Sequence, residues 1–237
     1  MSSTQAAPLS VGSGQFNISG AAYVTNSELL FGLKQAPPNG DQLAAALLPT
    51  DGAYSGLHVM DQIHIGNLLS PALGGVVTPG TPFVLPNWIQ LGNAVNINVD
   101  LTDIPVLTNV PVCAGSAAEN SFGNTCRSSA ASPIILEQGV SGVTAFLSLM
   151  GQAHYAGSNL NTPIVGLLSA NFTFGADRTI SGLLADLATN GFIMTGYSGE
   201  FTTTAGPTGV PEPSSLCMLG LGLLGATFAR RKRPRRG

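Results

Sequence analysis

The chain has 237 residues, of which 9% are charged and 44% hydrophobic, with 30 glycines and 16 prolines. Charge is far below the rough quarter of an ordinary globular protein, yet the apolar share suffices to bury a core, which excludes a disordered polar chain. Six of the nine basic residues occupy the last eight positions, and residues 1–209 hold three basic against eleven acidic groups, a net of −8 that excludes the basic stripe needed to hold nucleic acid.

The first ten residues, MSSTQAAPLS, lack the basic and apolar regions of a secretory signal. STQAAPLS resembles the small-residue stretch around a signal-peptide cleavage site, so the expectation is an apolar segment upstream of Met1. Strand patterns occur at 16–24, 28–33, 58–65, 88–91, 142–150, 165–174 and 193–201, punctuated by turn signals such as APPNGD, LPTDG, TPGTP and FGAD. The clearest alternation sets Val95, Ile97, Val99 and Leu101 against Asn96, Asn98, Asp100 and Thr102.

Two segments read as helices instead. In RTISGLLADLATNG, Ile180, Leu183, Leu184 and Leu187 share one face, with Thr179 or Ser181 as cap and Gly191 past the end. DQLAAALLP, 41–49, predicts a second, shorter helix. Many short strands with one or two helices predict an all-β body: an antiparallel β-sandwich or jelly roll in one domain, residues 1–209.

Cys113 and Cys126 sit in a turn-rich stretch where a disulfide closes a modest loop and implies an oxidising compartment; free thiols are the alternative. Zinc is disfavoured, because no second pair of ligands accompanies them. Asn96, Asn98, Asp100 and Asp103 offer oxygen ligands for calcium, but Leu101 and Leu107 stand where an EF-hand needs glycine and an acidic residue, so the pattern reads as a solvated strand face. His58 and His64, in HVMDQIH, would share one side of a strand with Asp61 on the other, too few ligands for a metal. His154, next to Tyr155, shows no partner in the sequence.

No Gly-x-Ser-x-Gly elbow and no phosphate-binding loop occurs; GYSGE, GVSGV and AYSGL read as turns. The expectation is a protein without catalytic residues, cofactor or metal. Trp88, Tyr54, Tyr155 and Tyr197 would stack on sugars if exposed, while NWIQL around Trp88 reads as core.

From Val210 the chain has three parts: Pro211, Glu212 and Pro213 within 210–215; an apolar run, 216–229, carrying Leu216, Leu219, Leu221, Leu223, Leu224 and Phe228; and a basic end, 230–237, with Arg230, Arg231, Lys232, Arg233, Arg235 and Arg236. The prolines fix φ and hold Glu212 on extended backbone that a processing enzyme can read. Fourteen uncharged residues fall short of the roughly twenty that cross a bilayer comfortably, but flanking serines and snorkelling arginines extend the run into a transmembrane helix. The basic cluster marks the cytoplasmic side, which leaves the body outside.

VPEPSS, LGLGLLG and ARRKRPRR, in that order, resemble the PEP-CTERM sorting signal. The resemblance implies export in a Gram-negative-type bacterium, inner-membrane anchoring through the apolar run, and recognition of Pro211, Glu212 and Pro213 by an exosortase, a membrane-embedded Cys-dependent enzyme that removes the helix and basic end. It further implies an outer-surface or matrix location and an association with exopolysaccharide or biofilm. FNISG, NWIQL, GNTC, SANFTF and GYSGEFT, in order, resemble the uncharacterised β-rich ectodomains attached to such tails. The leading expectation is a noncatalytic surface or matrix protein; a polysaccharide-binding module is the alternative, and a secreted hydrolase comes third.

Overall fold

The structure, a computed structural model, describes residues 10–25, 28–31, 42–47, 50–58, 61–172 and 178–204, without side chains at 28, 42–47, 62, 93 and 94. The chain divides after Ala205, and everything described belongs to the first unit. Its strands are β1 (Gly14–Val24), β2 (Glu28–Phe31), β3 (Gln42–Leu47), β4 (Gln62–Ile65), β5 (Leu68–Leu69), β6 (Leu85–Gln90), β7 (Ile97–Asp103), β8 (Thr125–Arg127), β9 (Ile135–Gln138), β10 (Val143–Tyr155), β11 (Thr162–Phe172) and β12 (Ile193–Thr203). Among the described residues a single helical turn, α1 (Gly92–Val95), and one longer helix, α2 (Ile180–Asn190), complete the regular elements with three short 3-10 turns.

All twelve strands join one sheet. Eight of them pair antiparallel in the order β1, β3, β4, β6, β7, β10, β11, β12, and β12 returns to β1 along its whole length, from Gly14↔Thr203 to Val24↔Ile193. The ring keeps to chain order, so it is an up-and-down closure without crossovers. The expected all-β, antiparallel body is therefore present. The expected sandwich or jelly roll is not what the hydrogen bonds draw among the described residues: one curled sheet closes on itself, where a sandwich has two sheets face to face. Alternating burial reads alike in both, because each buries one face of every strand. Strand partners decide, and they are not written in the period.

β12 shows the alternation plainly: Thr195, Tyr197, Gly199, Phe201 and Thr203 are buried, while Met194, Gly196, Ser198 and Glu200 face out. The interior is filled by Phe16, Phe31, Tyr54, Trp88 and Phe201, each at most 2% exposed. Phe16 stacks on Phe201 at 5.0 Å and tilts against Tyr54 at 4.8 Å. An eight-stranded ring has room for such side chains and little else, and each large apolar group buried this way contributes about 1.5–3 kcal/mol.

β10, at 13 residues, outruns its partner β7. β7 covers it from Met150 to Tyr155, and β9 covers Val143 to Phe146, which carries β8 off the ring as a side branch. A second cluster of Cys126, Leu136, Val143, Phe172, Ile180 and Leu183 packs this branch against α2.

The α2 reading holds at both ends. Thr179 accepts from the Gly182 N–H at 3.2 Å, and Gly191 takes φ 73° and donates to the Leu187 carbonyl at 2.9 Å. The second expected helix is corrected: residues 42–47 form strand β3, paired on both edges with β1 and β4. Ala and Leu favour a helix in isolation, but sheet closure supplies hydrogen bonds on two sides and overrides that preference. Val95 also leaves its expected strand, since α1 and a left-handed Asn96 precede β7. Residues 32, 33, 59, 60, 173 and 174 of the expected strands lie outside the described residues.

Candidate functional site

Cys113 and Cys126 are joined in a disulfide, with Cα atoms 5.0 Å apart. The backbone sets this up: Arg127 N–H donates to the Pro111 carbonyl at 2.7 Å and Cys113 N–H to the Arg127 carbonyl at 2.8 Å, which lays residue 113 beside 126. Within the loop Glu119 acts as a local anchor. Its carboxylate accepts from the N–H groups of Ala114, Gly115 (2.9 Å) and Ser116 (3.2 Å). Arg127 is 7% exposed and donates to the carbonyls of Val110 (2.8 Å) and Ala130 (2.6 Å), so this buried cation holds loop backbone.

The N-terminal end of α2 is closed to ligands. Ile180 N–H donates to Gln138 Oε1 at 3.0 Å, Ser181 N–H to Asn120 Oδ1 at 3.1 Å, and Gly182 N–H to Thr179. Donors that would otherwise receive an anion are already engaged. Arg178 pairs with Asp186 at 2.6 Å.

The histidines come out differently from the expectation. His58 lies ahead of β4, outside the strand, and exposed; its N–H donates to Asp61 Oδ2 at 2.7 Å and its ring faces the same carboxylate at 3.7 Å. His58 and Asp61 thus form a local turn, and the two histidines do not line one strand face. His154 does have a partner: its Nε2 lies 3.3 Å from Asp100 Oδ1 across the β7–β10 pairing, while Nδ1 lies 3.2 Å from the Tyr155 carbonyl. Both partners are acceptors, so which of them the ring donates to depends on its tautomer. Asp100 Oδ1 also accepts from Asn87 N–H at 2.7 Å, and Asn87 Oδ1 accepts from Asn98 at 2.9 Å. Asn87, at φ 50°, sits where the β6–β7 register shifts between Leu85 and Ile89. Asn98 and Asp100 do form an outer strand face, half-buried by this network. Among the described residues no group of three or more His, Cys, Asp or Glu side chains could hold a metal ion.

The aromatic residues face inward. Trp88 is 1%, Tyr54 0% and Tyr197 7% exposed, and Tyr155 is half-buried. Trp88 Nε1–H donates to the Gly66 carbonyl at 2.7 Å. Burial pushes the Tyr54 phenol up to about 12, partly countered by Thr203. Thr203 donates its own proton to the carbonyls of Gly12 and Gly14, and no bond of good geometry satisfies the phenol oxygen. Tyr197 is likewise held above its ordinary value by burial.

Sequence reasoning missed Asp100 as the partner of His154, Glu119 as loop anchor, Gln138 as a cap for α2, and Thr203. The first, third and fourth depend on which strands meet. Glu119 had a local signal, Ser116 three residues before it in a capping box.

Among the described residues no helix is long and apolar enough to cross a membrane. Pro211, Glu212, Pro213, the apolar run and the basic end lie outside the described residues. No curated protein and no solved structure matches the chain. Residues 209–233 match one family model, described as the PEP-CTERM protein-sorting motif. The chain therefore carries a PEP-CTERM sorting signal, the mark of an exported protein that an exosortase targets.

Proposed function

We propose that this is a noncatalytic exported protein, held in the inner membrane by residues 216–229 until an exosortase reads Pro211, Glu212 and Pro213 and removes the apolar run and basic end. It then serves at the outer surface or in the extracellular matrix, in association with exopolysaccharide. The match at 209–233 carries the reading. Features of the body support it. A disulfide suits an oxidising compartment outside the cytoplasm. Trp88, Tyr54 and Tyr197 are inside the sheet, so a sugar-stacking platform made of them does not favour the polysaccharide-module reading.

The test is intact mass and fractionation of the full-length protein in its native host, beside a variant with P211A, E212A and P213A. The expected result is loss of the apolar and basic end and export for the wild type, with the variant intact in the inner membrane. An intact tail on both proteins overturns the reading.

A further inference from the structure

Phe122 and Val140 are the two most exposed large apolar side chains among the described residues, at 73% and 87%, and they sit on adjoining turns. Phe122 belongs to the turn 121–124, closed by the Asn124 N–H on the Ser121 carbonyl at 3.1 Å. Val140 belongs to the turn between β9 and β10, where the Gly139 N–H donates to the Gly142 carbonyl at 2.7 Å. A third bond, from the Gly123 N–H to the Gln138 carbonyl at 2.8 Å, joins the turns and keeps the Cα atoms of Phe122 and Val140 within about 12 Å by bond geometry alone. Neither turn asks for these side chains. Gly123, at φ 82°, supplies the left-handed third position of its turn, and the second position, where Phe122 stands, takes proline by preference. Val140 is β-branched in a place where glycine, serine, asparagine and proline are the usual residues.

Phe122 is the one exposed aromatic ring among the described residues, and Ser121, Asn124, Thr125 and Ser141 are exposed beside it and Val140. Residues 120–125 and 139–142 carry no formal charge, and the Glu119 carboxylate nearby is taken up by three backbone N–H groups. A ring, an aliphatic group and uncharged hydroxyls and amides fit a ligand that is itself uncharged and amphipathic. A sugar is such a ligand, with a C–H face for the ring and hydroxyls for the polar groups at its edge. Two side chains fall far short of the roughly 800 Å² per partner of a stable protein interface, and the hydroxyls and amides oppose entry into hydrocarbon. The net charge of −8 over residues 1–209 repels an anionic polymer. We infer that the Phe122–Val140 tip is a contact site for a neutral polysaccharide. The tip is held before any ligand arrives: Asn124 Nδ2 donates to the Ala118 carbonyl at 2.7 Å, Gln138 Nε2 to the Gly142 carbonyl at 3.3 Å, and the Cys113–Cys126 bond closes the loop that carries Phe122. Ordering costs little on binding, and a repeating polymer multiplies a weak single contact. The inference deepens the exopolysaccharide association proposed above and rests on it.

The test is affinity electrophoresis of the protein expressed from its full chain in the native host, in gels that hold the neutral or the acidic fraction of that host's exopolysaccharide. The wild type is expected to be retarded by the neutral fraction. Phe122→Ala should weaken binding about tenfold or more, Val140→Ser about threefold, and Phe122→Trp should bind as the wild type does. Thermal midpoints should not move, because both side chains are exposed. A wild type that runs freely overturns the inference, as does binding of the acidic fraction alone or Phe122→Ala retarded like the wild type. Phe122-dependent partition onto phosphatidylethanolamine vesicles or Phe122-dependent self-association, without retardation, overturns it as well, since lipid or a second copy would then occupy the tip. Intact mass of the same samples keeps the two readings apart. Processed protein that ignores the polymer removes this site alone, whereas protein that keeps its tail and still binds through Phe122 removes the sorting reading and supports the site.

Discussion

Gly166 of β11 lies directly across from Phe201 of β12, and the Phe201 ring occupies the space a side chain at 166 would need. A Cβ there would stand 2.6 Å from Phe201 Cδ1 and 3.3 Å from Cζ. The same ring stacks on Phe16 across the closing β12–β1 pairing, so a missing side chain on one strand lets an aromatic ring span the seam.

Gly166→Ala should therefore overpack the core. The expected cost is about 1–3 kcal/mol, read as a lower thermal midpoint of roughly 2–4 °C per kcal/mol for a domain of this size. Gly196→Ala, on the outer face of β12 with no foreign atom nearer than 3.8 Å, is the control and should stay within about 0.5 kcal/mol. Equal effects would show that Phe201 does not fill this space.

Alkali should unfold the body. The Tyr54 phenol is held at about 12 against an ordinary 10.0, and Tyr197 is raised as well. The folded state keeps these protons where the unfolded chain loses them, so their stabilising share is complete below pH 10 and disappears as pH rises through about 12. Tyr54→Phe removes an unsatisfied buried hydroxyl. It should leave stability at neutral pH unchanged or higher and move the alkaline midpoint upward, followed by circular dichroism and tyrosinate absorbance. An unmoved midpoint would count against this source of the pH dependence.

Breaking the Cys113–Cys126 bond should loosen the branch before the ring. A closed loop of this length is worth about 3 kcal/mol, and its cluster with α2 is separate from the main core. With Cys113→Ala and Cys126→Ala together, amide exchange should speed first in β8, β9 and α2, while β1 and β12 remain protected. Uniform loss of protection would show that branch and ring open as one unit.

Trp88, the single tryptophan, is a built-in reporter. Buried and bonded to the Gly66 carbonyl, it should fluoresce at short wavelength, resist acrylamide, and shift only on unfolding. Trp88→Phe leaves that carbonyl without its donor and creates a void, at about 1–3 kcal/mol for the unmet group alone. Ready quenching by acrylamide in the native protein would contradict the burial.

The sorting motif and α2 were legible in the sequence because their signals are linear: a fixed order of Pro-Glu-Pro, apolar and basic residues, and a 3.6-residue period between a Thr cap and a terminal Gly. The one-sided strands were legible for the same reason, since burial alternates within each. What the sequence did not contain was who pairs with whom. Residues 42–47 took a strand because two neighbours bond them, although their composition favours a helix. His154 acquired Asp100, 54 positions away, only through the β7–β10 register. Ring closure rests on β12 returning to β1, a contact between residues nearly 190 apart. Local chemistry writes period, caps and motifs into the chain. Partners across a sheet are chosen by hydrogen bonding and packing between distant segments, and only the tertiary structure decided them.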